Sequence, residues 1–381
     1  MVSFNVFPFH IMKTHRHFPA QHPTNLEETM RTKIAISLSF ILLVGFFTGT
    51  AFAKIKLTYN NYFPPTHMAS KMSAEWCKEI EKRTNGEVQF QHFAGGQLLP
   101  AEKLFDGVVQ GIADVGFSNL SYTRGRFPEM EMCDLPLGMP SAWVSSHVAQ
   151  KYYEKYQPKE FDKAKVMYFS ACGPNLISTT TKAVHTLEDL KGQTLRATGR
   201  IADTANALGA TARPMGIGEA YEAVNKNVIS GVMLPLETMK GFRLGEVLKY
   251  CTANWQVGNV YTFYAVMNKN KWNKLPDNIK KVFEEVNAEF VEKMAQGWND
   301  IDLAGSEFFK SKGGQMIQLT DSEAEKWNKA VAPVLETYTQ QMVKAGYSAD
   351  DIKERFEFVK KTRDEFKALQ LSKGIPVPYE Q

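Results

Sequence analysis

The sequence lacks the motifs by which many enzymes and metalloproteins are recognised. It contains no G-x-S-x-G, no H-E-x-x-H and no phosphate-binding loop with its lysine. Gly216-Ile217-Gly218 resembles the start of a dinucleotide fingerprint, but Tyr221 occupies the position of the third glycine. These absences favour binding over catalysis, and they predict neither a cofactor nor a metal.

Cysteine is scarce, and its spacing excludes the common metal sites. Cys77, Cys133, Cys172 and Cys251 are far apart, with no C-x-x-C pair and no matching histidine spacing. An exported protein could form disulfides between them. However, their surroundings are apolar or helical, where isolated buried thiols are common, so free thiols are predicted.

A large excess of charge is also missing. The net charge is +4, and the first 53 residues contribute four Lys or Arg and two Glu, which leaves +2 for the rest. Nucleic acids and anionic membranes are bound through clustered positive charge. Neither is therefore predicted as the main partner.

One apolar run stands near the N-terminus, and it is too short to span a membrane. It extends from Ile34 to Phe47 between a charged stretch that begins at Met30 and the small-residue sequence Ala51-Phe52-Ala53. A spanning helix needs roughly 20 apolar residues, so a signal peptide over 30–53 cleaved after Ala53 is predicted. Residues 1–29 are interpreted as a doubtful upstream extension, and the mature chain as a periplasmic protein.

The remaining 328 residues predict an α/β fold of two similar units. The first unit alternates strands and helices from Ile55 to Ser118, and the second repeats this order after Pro174. Such an order predicts mostly parallel sheets flanked by helices, with a ligand cleft beyond the carboxyl ends of the strands.

Apolar residues at helical spacing from Asp277 to about Lys312 predict a helix of roughly 50 Å, which exceeds one lobe and is expected to cross both. Gly297 and Gly305 are expected to bend it.

Arg196 is the candidate anchor for an anion. It ends a predicted strand two residues before Thr198-Gly199, where a helix begins. Helix N-termini attract anions, and a guanidinium can bind a carboxylate through two parallel hydrogen bonds. An arginine paired to a surface carboxylate is the alternative interpretation of the same pattern.

The segment that precedes Arg196 resembles the signature of a transporter family. The run from Leu187 to Arg196, Leu-Glu-Asp-Leu-Lys-Gly-Gln-Thr-Leu-Arg, is similar to the motif of the solute-binding proteins of TRAP transporters, the tripartite ATP-independent periplasmic family. Further similar segments follow in order along the chain, at 83–86, 95–98, 111–114, 134–136, 219–223 and 267–269. The resemblance therefore extends from Lys54 to at least the long helix.

This resemblance implies a two-lobed cleft that closes on its ligand, a long helix that braces both lobes, and Arg196 on the substrate carboxylate. It implies delivery of the ligand to the small and large membrane subunits of a TRAP transporter. We expect lobe 1 at 54–173 with about 262–301, and lobe 2 at 174–261 with about 302–381, including the C-terminal helices.

The sequence departs from the family at two polar positions. Many members have a second arginine where this chain has Asn175 or Leu176, and sialic-acid binders have asparagine where it has Leu234 before Pro235. Both departures make the pocket less polar. They disfavour a sugar acid or a dicarboxylate and favour an aromatic or branched monocarboxylate.

Strand ends supply the remaining candidate ligand-binding residues. They are Tyr62, Phe63, Phe117, Ser118, Asn119, Tyr122, Asn175, Met215, Glu237 and Phe263. Among them Glu237 could accept an amino group of the ligand, or it could be a solvated glutamate. A secreted α/β enzyme that acts on carboxylates, or a binding protein for an ABC transporter or a sensor, stays open as an alternative function.

Overall fold

The structure is a computed structural model that describes His10, residues 12–16 and residues 54–379. His10 and residues 12–16 have no regular secondary structure. The signal peptide predicted for 30–53 lies outside the described residues. Within the part of the chain that the structure describes, no helix combines the length and apolarity needed to cross a membrane.

Residues 54–379 contain two sheets surrounded by helices. The strands are β1 (Ile55–Asn61), β2 (Val88–Phe93), β3 (Val115–Asn119), β4 (Ala164–Ala171), β5 (Leu176–Thr179), β6 (Thr194–Arg196), β7 (Thr211–Ala212), β8 (Gly231–Leu234), β9 (Tyr250–Ala253), β10 (Thr262–Asn268) and β11 (Gln315–Gln318). The helices are α1 (Met68–Arg83), α2 (Leu104–Gln110), α3 (Ala142–Tyr156), α4 (Gly199–Ala207), α5 (Ile217–Asn225), α6 (Glu237–Gly241), α7 (Lys269–Asn273), α8 (Asp277–Ser311), α9 (Asp321–Lys344) and α10 (Ala349–Ser372). The predicted two-lobed α/β fold is confirmed.

Each sheet contains one reversed strand, and its other strands all run in one direction, so the prediction of mostly parallel sheets is confirmed. The first sheet has the order β2-β1-β3-β10-β4, in which β10 is antiparallel to both neighbours. The second has the order β11-β9-β5-β8-β6-β7, in which β5 is antiparallel to both neighbours. Both reversed strands directly follow a crossing between lobes. A strand that begins where the chain enters a lobe from the cleft must run away from the cleft. The other strands of each sheet run towards the cleft.

The two crossings lie side by side and are hydrogen-bonded to each other. The amide of Asn175 donates to the carbonyl of Asn259 at 2.8 Å, and that of Cys172 donates to the carbonyl of Tyr261 at 3.2 Å. The side-chain amide of Asn175 reaches the same Asn259 carbonyl at 3.0 Å. We call residues 172–175 and 259–261 the crossing ribbon.

Helix α1 packs on the sheet of the first lobe through one apolar face and is capped by a residue at its start. Its buried side chains include Trp76 and Ile80, which recur at helical spacing and pack on the sheet. The N-cap of this helix is His67, whose Nδ1 accepts the amide N–H of Ala69 at 3.1 Å.

Helix α8 packs on both lobes, as the length of its apolar pattern predicts. With 35 residues it is about 52 Å long. Asn287 accepts the indole N–H of Trp76 in the first lobe at 2.9 Å. Asp302 accepts the amide of Glu237 in the second lobe at 2.8 Å.

The two glycines of α8 allow close packing, and the helix runs through both without interruption. A Cβ atom on Gly305 would lie 2.0 Å from the carbonyl oxygen of Leu236, and one on Gly297 would lie 3.0 Å from the sulfur of Met68. Each glycine lies close to a neighbouring group, and the bend predicted at these positions stays a prediction.

A turn separates α2 from the strand that follows it. Gly111 and the residues after it form this turn, and strand β3 begins at Val115. Helix α3 and strand β4 were not predicted, because their apolar residues show no single clear period.

The four cysteines are buried and unpaired. Burial is the main cause that raises the pKa of the Cys172 thiol well above its ordinary value. These thiols act as small apolar side chains of the core.

Candidate functional site

A pocket lies between the two sheets, at the carboxyl ends of the strands that run towards the cleft. Its cavity volume is about 30 Å³, well below the range of about 300 to 1,000 Å³ for ligand pockets. The lining residues are Tyr62, Phe63, Asn119, Ser121, Tyr122, Cys172, Arg196, Ile217, Leu234, Pro235, Glu237, Thr238, Phe242, Tyr261 and Phe263. Both lobes and the crossing ribbon contribute to it.

Arg196 is the last residue of β6, and its side chain is buried in this pocket at 2% exposure. Its Nε and Nη2 donate to the carbonyl oxygen of Met215 at 3.1 and 2.8 Å, and its Nη1 donates to the hydroxyl of Tyr261 at 2.9 Å. Burial lowers the pKa of Arg196, but the neighbouring tyrosines Tyr261, Tyr122 and Tyr62 outweigh this effect and leave the pKa raised. The guanidinium is therefore a cation.

Arg196 forms no ion pair with a carboxylate of the described residues. Its hydrogen-bond acceptors are a carbonyl oxygen and a hydroxyl oxygen. A buried charge without a counter-ion costs several kcal/mol, on the order of the desolvation penalty of one ion. An anionic ligand would remove this cost, and a carboxylate matches the planar fork of N–H groups. The electrostatics of the pocket thus favour an acid.

The N-terminus of α4 follows Arg196 closely and brings the two lobes together. Gly199 has φ +57°, and a Cβ atom there would lie 2.7 Å from the Cβ of Ser121 in the first lobe. The hydroxyls of Ser121 and Thr198 lie 3.1 Å apart. A residue larger than glycine would hold the lobes apart at this point.

Ion pairs outside the pocket also join the lobes. Arg200 donates to Glu131 at 2.7 Å, and both side chains are almost fully buried. Arg124 contacts Asp203 at 2.6 Å nearer the surface. The structure therefore has the lobes in contact across the cleft.

Aromatic rings form the apolar wall of the pocket. Phe63 stacks on Tyr62 with ring centroids 4.2 Å apart and contacts Phe263 at 5.7 Å and Phe242 at 6.4 Å. Phe263 in turn stacks on Trp298 of α8 at 4.6 Å. Rings held in this way offer a rigid surface for a flat or branched body.

Tyr62 also brings a polar group into the pocket. Its hydroxyl accepts the side-chain amide of Asn119 at 2.9 Å. Burial is the main cause that raises its pKa well above the ordinary value, so the hydroxyl stays neutral. It keeps a proton to donate to an acceptor in the pocket.

Seven of the residues predicted from sequence meet in this pocket, and four lie elsewhere. Those in the pocket are Arg196, Tyr62, Phe63, Asn119, Tyr122, Glu237 and Phe263. The four outside the lining are Asn175, Phe117, Ser118 and Met215.

The position of each of these four residues explains why it does not line the pocket. The side chain of Asn175 joins the crossing ribbon, and Phe117 stacks on Phe263 at 5.5 Å from behind the wall. Ser118 donates to the carbonyl of Ala101, since it points to the opposite face of β3 from Phe117. Met215 approaches the site only through its carbonyl oxygen, which holds Arg196.

Sequence reasoning missed Tyr261, Thr198, Phe242 and His67. Tyr261 precedes the reversed strand β10, whose amino end faces the cleft, so a search of carboxyl strand ends passes over it. His67 reaches the site from the start of α1, where its Nε2 lies 3.0 Å from Oε2 of Glu237. The pairing of α1 with α6 is a long-range contact that local pattern does not indicate.

A family model described as bacterial extracellular solute-binding protein, family 7 (DctP), matches residues 59–341. The chain belongs to this family of solute-binding proteins. A TRAP periplasmic solute binding protein from Desulfovibrio salexigens is 33% identical with a TM-score of 0.74, and the match covers 82% of this chain and 97% of that chain. The resemblance to TRAP transporter binding proteins is therefore confirmed.

Two further proteins are similar to this TRAP solute-binding protein, one in fold and one in sequence. A TRAP solute binding protein from Rhodoferax ferrireducens, solved in complex with copurified benzoate, is 22% identical with a TM-score of 0.77, and covers 83% of this chain and 99% of that one. A solute-binding protein of Albidiferax ferrireducens is 26% identical over 272 residues, which are 68% of this chain and 77% of that protein.

Proposed function

We propose that this TRAP solute-binding protein captures a small aromatic or branched monocarboxylate in the periplasm. It delivers the ligand, chemically unchanged, to the small and large membrane subunits of its transporter. In this proposal the signal peptide is cleaved after Ala53. The observation that carries it is Arg196, a buried cation without a described counter-ion in a pocket whose other walls are mainly aromatic and aliphatic.

The apolar side of the pocket supports a monocarboxylate over a diacid. Leu234 and Pro235 line the pocket at the position where sialic-acid binders have a polar residue. Among the pocket-lining residues, Arg196 is the one arginine or lysine. A second carboxylate would meet no second cation, and its burial would cost free energy. The relative from Rhodoferax ferrireducens, with benzoate, has a ligand of the proposed kind.

Mass spectrometry of the ligand released from purified protein tests the proposal. We expect a small molecule with one carboxylate, and we expect its mass to be unchanged after prolonged incubation with the protein. A carrier returns its ligand, whereas an enzyme would convert it. A released ligand without any acid group would contradict the proposal, and turnover would favour the alternative of a secreted enzyme.

Tyr261→Phe tests the support of the anchor. The substitution removes the hydroxyl that accepts from Arg196 at 2.9 Å and pairs with Thr198 at 3.2 Å. We expect a loss of about 1–2 kcal/mol in binding free energy, because one buried donor of Arg196 loses its acceptor. That corresponds to roughly a five- to thirtyfold rise in Kd by titration calorimetry.

Tyr221→Phe is the matched control for this substitution. Its hydroxyl lies 3.4 Å from Glu246 in the same lobe, and Tyr221 does not line the pocket. Its Kd should equal that of the wild type. Equal losses in the two variants would show that Tyr261 acts through general stability and not through Arg196.

A further inference from the structure

The pocket contains a second charged side chain besides Arg196. Glu237 begins α6 and is 5% exposed. It lines the same pocket as Arg196, and both charges act on the hydroxyl of Tyr62, with opposite effects on its pKa. A monocarboxylate paired with Arg196 leaves this second group to be explained.

One oxygen of Glu237 is occupied by His67. Oε2 lies 3.0 Å from Nε2 of that histidine, whose side chain is 2% exposed. Nδ1 of His67 accepts the amide N–H of Ala69, so this nitrogen carries no proton. The proton of a neutral imidazole is then on Nε2, which donates it to Glu237. His67 thus supplies a hydrogen bond but no positive charge.

The other oxygen of Glu237 has no donor among the described residues. The backbone amide of Glu237 is directed to Asp302, and the side chain forms its one ion-pair contact, within the described residues, with His67. The Glu237 side chain is 5% exposed as a whole, so an oxygen without a protein donor must receive its hydrogen bond from a ligand or from water in the pocket. An ionised glutamate only accepts hydrogen bonds, so the missing group must be a donor.

We infer that the ligand is a carboxylate that also carries a hydrogen-bond donor, a hydroxyl or an ammonium, and that Glu237 selects for this donor. The inference rests on the proposed function, because it takes the acid group to be held by Arg196. The aromatic wall around Phe63 then lies against the body that connects the two polar groups. Glu237 is a specificity-determining residue, and His67 is the positioning residue that orients it.

Two ligand series measure the donor preference by titration calorimetry on the full mature protein. The first is phenylpropanoate, phenyllactate and phenylalanine, which share a skeleton and differ by hydrogen, hydroxyl or ammonium beside the carboxylate. The second is benzoate, meta-hydroxybenzoate and meta-aminobenzoate, which move the donor to the ring. We expect a donor-bearing member of one series to bind about tenfold or more tightly than its parent acid, as for a hydrogen bond to a charged group.

Glu237→Gln is the variant that assigns the preference. It keeps an acceptor for His67 and removes the charge, so we expect the ratio of affinities between donor-bearing and parent ligands to fall to about threefold or less. Glu246→Gln removes one negative charge from an exposed site in the same lobe, paired with Arg243, and should leave the ratio unchanged. A uniform loss for all ligands in Glu237→Gln would overturn the inference, because it would indicate a purely structural role.

The outcomes separate this inference from the proposed function. Arg196-dependent binding of parent acids without any donor preference overturns the inference and leaves the proposed function standing. If none of the six compounds binds, the composition of the released ligand decides. An acid without hydroxyl or amino group overturns the inference alone, and a ligand without an acid group overturns both.

Discussion

Replacing Arg196 with alanine is expected to weaken binding of the transported carboxylate by about 3–5 kcal/mol. This is roughly a hundredfold to several thousandfold in Kd. The guanidinium is 2% exposed and lies in a pocket closed by both lobes, so the ligand carboxylate of the variant would be buried without its cation. Titration calorimetry with the ligand identified by mass spectrometry gives the value directly.

Two further variants show what the loss means. Arg196→Lys keeps the charge but not the planar fork of donors, so an intermediate loss is expected. Arg213→Ala removes the same charge from an exposed arginine that follows β7 and lies outside the pocket, and its Kd should not change. A change of less than fivefold in Arg196→Ala would refute the anchor assignment.

Gly305→Ala is expected to destabilise the protein by about 1–3 kcal/mol or more, although alanine is the better helix former. The new methyl group would lie 2.0 Å from the carbonyl oxygen of Leu236, which is backbone and cannot rotate away. Helix α6 would have to move, and with it Glu237. We expect the displacement to lower the free energy of unfolding measured in urea and to change the Kd of the ligand.

Gly297→Ala is the matched control in the same helix. Its methyl group would meet the sulfur of Met68 at 3.0 Å, and that flexible side chain can shift. The gain of about 0.5–1 kcal/mol from replacing glycine in a helix then remains visible, so this variant should be as stable as the wild type or slightly more stable. If both variants lost the same stability, the contact with Leu236 would not be the cause.

The sequence predicted the elements that local pattern encodes. Helix α8 was predicted nearly to the residue, because its apolar side chains keep helical spacing from Ile279 to Trp298. The N-cap of α9 is equally local, because the side chain of Thr320 accepts from the amide of Glu323 three residues later. These features depend on neighbours within a few residues.

Features that depend on chain path were not predictable in the same way. Nothing in β5 or β10 taken alone indicates that they run against their neighbours, since a strand's own residues do not encode its direction in the sheet. For the same reason Tyr261 was missed, although it contacts Arg196. The position of His67 beside Glu237, 170 residues away in sequence, also requires the assembled fold.

Two features of the sequence indicate that Arg196 binds the ligand carboxylate. Its place at a strand end before a helix N-terminus is also compatible with a surface ion pair, whereas the resemblance to the family motif favours the ligand-binding role. The burial of the side chain without a described carboxylate partner supports this assignment physically. Which residues line the rest of the pocket depends on side-chain direction, and for this reason Phe117 and Met215 lie outside the lining although the sequence predicts both at strand ends.

The crossing ribbon both connects the lobes and forms part of the pocket. Cys172 and Tyr261 belong to it and also line the pocket, so two of the segments that connect the lobes form part of the pocket wall. Tyr261 contacts the anchor Arg196 while its own backbone is bonded to the opposite segment. The contact that holds the anchor and the hydrogen bonds between the two connecting segments therefore share the same residue, Tyr261.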